Sequence, residues 1–165
     1  MSISVWDRLY HRDIIANLLF PKGKVFEDIV YSTKAIIAAK RVAYINKVLY
    51  HYRIREESIT GNRNKVHSKR RTDQLSLEKE RIQLFEAEEL KDLEIMEKFN
   101  ICMDLYRLIF SCDDVEKRKQ IQGEIDWFHM RATDALRYIP GIRQRIKTAI
   151  KVFFFAPYVK IMKMK

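Results

Sequence analysis

The stretch that decides the fold reads Phe20-Pro-Lys-Gly-Lys-Val-Phe-Glu-Asp28 and continues into the apolar run from Ile29 to Ala39. Proline presets φ and glycine is favoured at the fourth position of a type I turn, so residues 21–23 predict a tight turn. Behind it, a stripe at three- and four-residue spacing predicts a helix with one inward face: Ile29, Val30, Thr33, Ile36, Ile37 and Lys40. The acidic pair Glu27-Asp28 is then expected in or just before the first turn of this helix.

The position of this acidic pair allows two interpretations. Acidic residues in a first turn are ordinary caps and dipole partners, each contributing about 0.3–1 kcal/mol. Alternatively, a carboxylate fixed on a rigid helix end can take the proton of a hydroxyl nucleophile as a general base. The pair alone favours the first interpretation, whereas the motifs around it favour the second.

Four motifs occur in a fixed order along the first 60 residues. They are Val5-Trp-Asp-Arg-Leu-Tyr-His-Arg12, the stretch from Phe20 to Asp28, Val42-Ala-Tyr-Ile45, and Leu49-Tyr-His-Tyr-Arg-Ile-Arg-Glu-Glu-Ser-Ile59. In order and spacing this set resembles the second half of a bacterial family-2 glycosyltransferase. Each motif alone is weak, but the combination is specific.

The resemblance assigns roles to residues in the first two motifs. In that family, the aspartate of the Glu-Asp pair is the catalytic base of an inverting transfer from a nucleotide-sugar, and that position is Asp28 here. It also implies that Trp6, Asp7 and Glu27 lie on the acceptor side. For Trp6, packing into the protein is the alternative interpretation.

The fourth motif carries a possible anion site. Guanidinium groups suit bidentate recognition of phosphate oxygens, and the resemblance implies that Arg53 and Arg55 lie on a segment that closes over the departing nucleoside diphosphate. The alternative is a solvated surface patch beside Glu56 and Glu57. The four histidines of the chain show no metal-ligand spacing.

The resemblance also implies a fold and a cofactor. Arg41–Asn46 and Val48–Ile54 are rich in Val, Ile and Tyr and predict two short strands. We therefore expect a mainly α chain with a small β hairpin, the C-terminal remnant of an α/β fold of the GT-A type. The family's nucleotide-binding half, with its divalent Mg²⁺ or Mn²⁺, would precede residue 1. With four glycines, the chain cannot build a Gly-rich phosphate loop, so we expect a partial enzyme that is inactive alone.

The rest of the chain predicts a helical extension. Residues 1–60 are assigned to the acceptor and base part, 61–71 to a linker, 72–139 to the extension and 140–165 to a basic tail. The apolar patterns and caps predict helices from Asp7 to Ile15, from Ser68 or Thr72 to about Glu88, from Lys91 to Phe110, and from Asp114 to Tyr138 with Asp113 as its cap. Cys102 and Cys112, ten residues apart in one predicted helix, cannot pair there, so we expect reduced thiols and a cytoplasmic setting.

Charge is concentrated at the end of a chain whose net charge is +10. From Arg137 onward there are eight basic residues and no acidic one. The pattern predicts a basic amphipathic helix at an anionic membrane surface, the inner face of the cell membrane, through Arg143, Lys147, Lys151, Phe153 and Phe154. Alternatively, the aromatic stripe packs on the preceding helices. No nucleic-acid-binding motif accompanies the charge.

Two hypotheses for function follow. The first is an inverting glycosyltransferase that moves a sugar from a nucleotide-sugar to an envelope or exopolysaccharide glycan or lipid-linked acceptor, with Asp28 as general base. The second is a non-catalytic helical module that binds a membrane or a partner. The donor sugar, acceptor and linkage do not follow from the sequence.

Overall fold

The computed structural model describes residues 4–53 and 67–128. The chain forms two compact units, Met1–Leu84 and Phe85–Lys165. The described residues contain five helices: α1 (Arg12–Ile15), α2 (Asp28–Ala38), α3 (His67–Ala87), α4 (Lys91–Ser111) and α5 (Val115–Trp127). Helix α3 begins within a residue of the predicted Ser68, so residues 67–71 are helical, while the division into four segments stays a prediction.

Helix α2 is the centre of the first unit. It begins at Asp28 as predicted, and its buried residues are Ile29, Val30, Tyr31, Ser32, Thr33 and Ala35. The core consists of Ile29 and Val30 packed with Leu77 of α3, with Phe26 and Leu84 partly buried against them. Burial of the polar Thr33 is tolerated because its Oγ1 donates to the Ile29 carbonyl at 2.7 Å. Lys40, which the stripe placed on the inward face, is exposed and lies beyond the helix.

Polar contacts join the turn and helix α2 to α3. The backbone N–H of Val25 donates to Asp73 Oδ2 at 3.2 Å, and Lys34 Nζ lies 3.0 Å from Glu80 Oε1. These contacts span more than 40 residues of sequence, so the turn before α2 is positioned by tertiary structure as well as by its own residues.

The predicted β hairpin is wrong. Residues 41–53 form no strand, and all of them are exposed; Ile54 lies outside the described residues. An isolated two-stranded hairpin is at best marginally stable in water, and a packing surface is needed to stabilise it. Within the described ranges the chain is helical without a sheet, which overturns the expected α/β remnant.

The second unit contains α4 and α5. Helix α4 buries Ile95, Phe99 and Cys102, whereas Tyr106 is 36% exposed. Asp114, and not the predicted Asp113, caps α5, because its Oδ1 accepts from the backbone N–H groups of residues 116 and 117 at 3.0 and 3.2 Å. The predicted continuation of this helix beyond residue 128 lies outside the described residues.

A buried ion cluster lies at the start of α4. Glu94 is 4% exposed, and its carboxylate accepts from Lys91 Nζ and Lys98 Nζ at 2.7 Å each. Lys98 Nζ also lies 2.8 Å from Glu86 Oε1. Burial alone would raise the pKa of Glu94, but the hydrogen bonds and charges of the two lysines outweigh it and lower that pKa. The cluster therefore keeps a buried carboxylate ionised.

Both cysteines are free thiols in the structure. Cys102 is buried in α4, and Cys112 follows the end of that helix. Burial raises the pKa of the Cys102 thiol to about 11, although the Lys98 charge opposes the shift. A thiol with such a pKa is protonated and unreactive at neutral pH, so Cys102 belongs to the core.

Candidate active site

A strained turn presents the acidic pair to the start of α2. Gly23 has φ +74°, which glycine adopts without steric cost, and Phe26 has φ +69°, which is rare for a bulky residue. Such a conformation costs of order 1–3 kcal/mol and persists only where the surroundings hold it. Phe26 is held by its packing against the core, and its carbonyl accepts from Ile29 N at 3.0 Å. The turn therefore fixes the direction in which Glu27 and Asp28 enter the helix.

Asp28 has the electrostatics of a candidate base. Its side chain is partly buried at the first residue of α2. Burial raises the pKa of Asp28 above its ordinary value, the negative charge of Glu27 raises it further, and backbone hydrogen bonds at residues 28 and 29 and the Arg8 charge oppose the shift. A raised pKa makes a carboxylate a better proton acceptor, because general base efficiency improves as the pKa approaches the working pH.

Asp7 lies in a turn, and Arg8 in the irregular segment after it, instead of in a helix. The predicted helix from Asp7 is wrong, because α1 begins at Arg12 and is capped by His11, whose Nδ1 accepts from the residue 13 backbone at 3.4 Å. Asp7 Oδ1 lies 3.5 Å from Arg8 Nε, and the Arg8 side chain is 17% exposed. The positive charge of Arg8 also lowers the pKa of Asp28, so a guanidinium of the first motif acts electrostatically on the candidate base.

The Tyr31 ring of α2 contacts one aromatic ring from each of the first two motifs. The Phe20 ring stacks on the Tyr31 ring with centroids 3.9 Å apart and an interplanar angle of 6°. The Tyr10 ring meets the same tyrosine edge to face at 6.2 Å. Tyr31 was not among the predicted site residues, although its position three residues after Asp28 keeps it close to the candidate base along the helix.

Trp6 packs on two tyrosines of the fourth motif. Its ring centroid lies 4.7 Å from that of Tyr50 and 5.0 Å from that of Tyr52, with interplanar angles of 31° and 26°. No strand forms here, yet both tyrosines contact the same tryptophan ring. Rings of the first and fourth motifs are therefore in contact.

Several predicted site residues remain without a structural test. Arg53 is exposed at the end of a described range, and Arg55 lies outside the described residues. The predicted membrane residues also lie outside them: Arg143, Lys147, Lys151, Phe153 and Phe154. Within residues 4–53 and 67–128, no helix combines the length and apolar character that crossing a membrane requires.

A metal site would need several ligating side chains close together. Among the described residues, no group of three or more His, Cys, Asp or Glu side chains is arranged to hold a metal ion. The divalent ion that the resemblance implies is expected on the nucleotide-binding half of such an enzyme, so this finding leaves that expectation a prediction. The chemistry proposed for this part of the chain uses its own side chains only.

Comparison with known proteins gives one informative relative. The chain is 40% identical over 58 residues to Glycosyltransferase GlyA of Streptococcus pneumoniae serotype 4 (strain ATCC BAA-334 / TIGR4). The match covers 35% of this chain and 8% of the relative, so the chain is related to a glycosyltransferase over that stretch. No family model matches the chain. No solved structure matches it either.

Proposed function

We propose that the first unit carries the acceptor and base side of an inverting, family-2-like glycosyltransferase, with Asp28 as general base. The observation that carries the proposal is the placement of Asp28. It is a carboxylate of raised pKa on the first residue of a helix whose core is buried, directly after a strained turn. The relationship to a glycosyltransferase supports the class of reaction.

The proposed chemistry needs one proton acceptor on the acceptor side. The acceptor hydroxyl transfers its proton to the Asp28 carboxylate while its oxygen forms a bond to the anomeric carbon of the donor sugar. The bond from that carbon to the nucleoside diphosphate breaks, and the diphosphate departs from the opposite face, which inverts the anomeric configuration. Glu27 and burial favour the protonated product of Asp28, so both assist the proton transfer.

The donor and acceptor are proposed as classes. The donor is a nucleotide-sugar, and the acceptor is an envelope or exopolysaccharide glycan or a lipid-linked sugar. Arg53 and Arg55 are proposed to face the departing diphosphate, because guanidinium groups pair with phosphate oxygens in a bidentate manner. The divalent ion expected for such an enzyme would be bound by residues other than those described in this chain.

The excess of basic residues at the end of the sequence is the basis for proposing that the chain binds a membrane surface. The run from Arg137 to Lys165 has eight basic and no acidic residues, and each basic residue near an anionic surface contributes about 1 kcal/mol. We expect the chain to co-sediment with phosphatidylserine vesicles at low salt, and Phe153→Ser with Phe154→Ser to release it. Equal binding to neutral vesicles would contradict this proposal. Vesicle binding by the chain, together with a chimera that shows no transfer in the assay below, would instead favour a non-catalytic module.

The catalytic proposal is tested by replacing the base. A chimera in which a stretch of this chain containing Asp28 replaces its counterpart in GlyA provides a transfer assay. Asp28→Asn preserves size but removes the proton acceptor, so the transfer rate should fall by about 10²–10⁴-fold. The matched control is Glu27→Gln, which should lower the rate far less because Glu27 acts only through its charge.

Two outcomes would contradict the assignment. If Asp28→Asn keeps near-normal transfer and Glu27→Gln does not, the base is Glu27. If neither variant loses transfer while the chimera is active, the acidic pair has only the structural role of ordinary helix-start residues. Circular dichroism of each variant checks that α2 is still formed.

A further inference from the structure

Three aromatic rings of the first unit remain accessible after they have packed on one another. Trp6 contacts Tyr50 and Tyr52 at centroid distances of 4.7 and 5.0 Å. The three residues are nevertheless 44%, 51% and 50% exposed. We call Trp6, Tyr50 and Tyr52 the ring platform. Rings that serve a core lose most of their exposure, so the platform has the exposure of a surface feature.

The platform is formed by residues that are far apart in the chain. Trp6 comes from the first motif, and the two tyrosines come from an irregular segment more than 40 residues later. Tyr50 and Tyr52 nevertheless present two rings to one tryptophan. Aromatic side chains around a few polar groups are the usual lining of small-molecule sites.

Polar groups adjoin the platform in the sequence. Asp7 and Arg8 directly follow Trp6, and consecutive Cα atoms are about 3.8 Å apart. Asp7 Oδ1 and Arg8 Nε lie 3.5 Å from each other, and the Asp7 side chain is 31% exposed. The carboxylate of Asp7 can accept hydrogen bonds from hydroxyl groups, while the rings offer flat apolar faces.

We propose that the ring platform binds the acceptor glycan, with pyranose rings resting their C–H faces on Trp6, Tyr50 and Tyr52 and a hydroxyl group donating to Asp7. Pyranose sugars combine an apolar face with a polar rim, which matches apolar rings beside a carboxylate. The inference rests on the proposed function, because a glycosyltransferase must hold its acceptor near the base. It adds the two tyrosines, which that proposal does not use, and it names a neutral glycan as the ligand.

The test measures glycan binding by the full 165-residue chain. Trp127 is the other tryptophan, so a Trp127→Phe background makes Trp6 fluorescence the reporter. The probes are cellohexaose, chitohexaose and isomaltohexaose, with uridine diphosphate as a separate arm. We expect a saturable fluorescence change with at least one of the three oligosaccharides, confirmed by isothermal titration calorimetry.

The variants distinguish specific glycan binding at the platform from nonspecific binding to the protein surface. Tyr50→Ala with Tyr52→Ala should weaken glycan affinity by at least about tenfold, as expected when aromatic anchors of a binding site are truncated. Tyr44→Ala is the matched control, since this tyrosine lies in the same irregular segment and its ring is 89% exposed. It should leave the affinity unchanged, and Asp7→Asn should weaken binding less than the double tyrosine variant does.

The outcomes distinguish this inference from the catalytic proposal. The binding assay requires no transfer step, so a failed catalytic test at Asp28 leaves the binding result interpretable. No saturable response to any of the three oligosaccharides overturns the inference. A response to uridine diphosphate alone also overturns it and makes the platform a nucleobase-stacking surface. Equal losses with Tyr44→Ala and the double variant would overturn it as well, because they would show nonspecific contact with the segment.

Discussion

Helix α2 and residues 41–53 follow each other in the chain, and both are rich in apolar residues, but their surroundings are opposite. In α2, Ile29 is 2% exposed and Val30 1%. In the segment after it, Val48 is 83% exposed and Leu49 72%. Both patterns predicted regular secondary structure, and only the helical pattern was confirmed.

The difference lies in where the backbone groups of each element find their hydrogen-bond partners. An α-helix makes its hydrogen bonds within the segment, so a helix such as α2 needs only one apolar surface on which to pack. That surface is Leu77 of α3. A strand must pair its backbone with another strand, and the described residues contain no sheet for residues 41–53 to join. The local pattern was therefore sufficient for α2 but insufficient for the two predicted strands.

The largest effect is expected when one buried leucine and one exposed leucine are each replaced by alanine. Leu77 is fully buried against α2, so Leu77→Ala should lower the free energy of unfolding by about 2–5 kcal/mol through lost burial and a cavity. Leu49→Ala makes the same chemical change in the exposed segment and should stay within about 0.5 kcal/mol. Urea unfolding, followed by Trp6 fluorescence in the Trp127→Phe background, measures both. Equal losses would show that the exposed segment packs in solution.

A smaller test compares two glycines. Gly23 has φ +74° and no atom within 4 Å of the place where a Cβ would stand, so Gly23→Ala should cost about 1 kcal/mol from backbone strain alone. Gly123 lies inside α5 with equally open space, so Gly123→Ala should stabilise the second unit by about 0.5–1 kcal/mol. Urea unfolding with Trp6 and Trp127 as separate reporters measures the two effects. A gain from Gly23→Ala would mean that the turn before α2 adopts another conformation in solution.

The smallest test uses pH at the start of α2. The pKa of Asp28 is raised above its ordinary 3.8 in the folded chain, so the folded state binds this proton more tightly than the unfolded state does. The resulting stability is complete below pH 3.8 and is lost as pH rises through the folded pKa. The free energy of unfolding of Asp28→Asn, relative to the parent chain, should therefore increase from about pH 3 to about pH 7. If the difference in the free energy of unfolding between Asp28→Asn and the parent chain did not change with pH, Asp28 would be solvated like a surface carboxylate.

The candidate site was only partly predictable from the sequence. Glu27 and Asp28 could be placed because a turn signal and a helical stripe are local features. Arg8 was missed as a neighbour of the base because its charge reaches Asp28 only through folding of the segment from residue 4 to residue 28. The tyrosines of the ring platform were expected on one side of a strand, but their contact with Trp6 spans more than 40 residues.

By itself, the sequence determined the positions of most helices and the start of α2 at the acidic pair, because spacing, turn residues and caps act over a few residues. The stripe of α2 also indicated that Ile29, Val30 and Thr33 face inward, which the structure confirms. Tertiary structure decided the strain at Phe26, the burial that raises the pKa of Asp28 and the exposure of residues 41–53. The turn and the start of α2 are held by residues distant in the chain, as when Asp73 accepts from the backbone of Val25, whereas within the described ranges residues 41–53 have no such partner surface to bury them. The extent of burial, and the electrostatics that follow from it, is a property of the packed molecule.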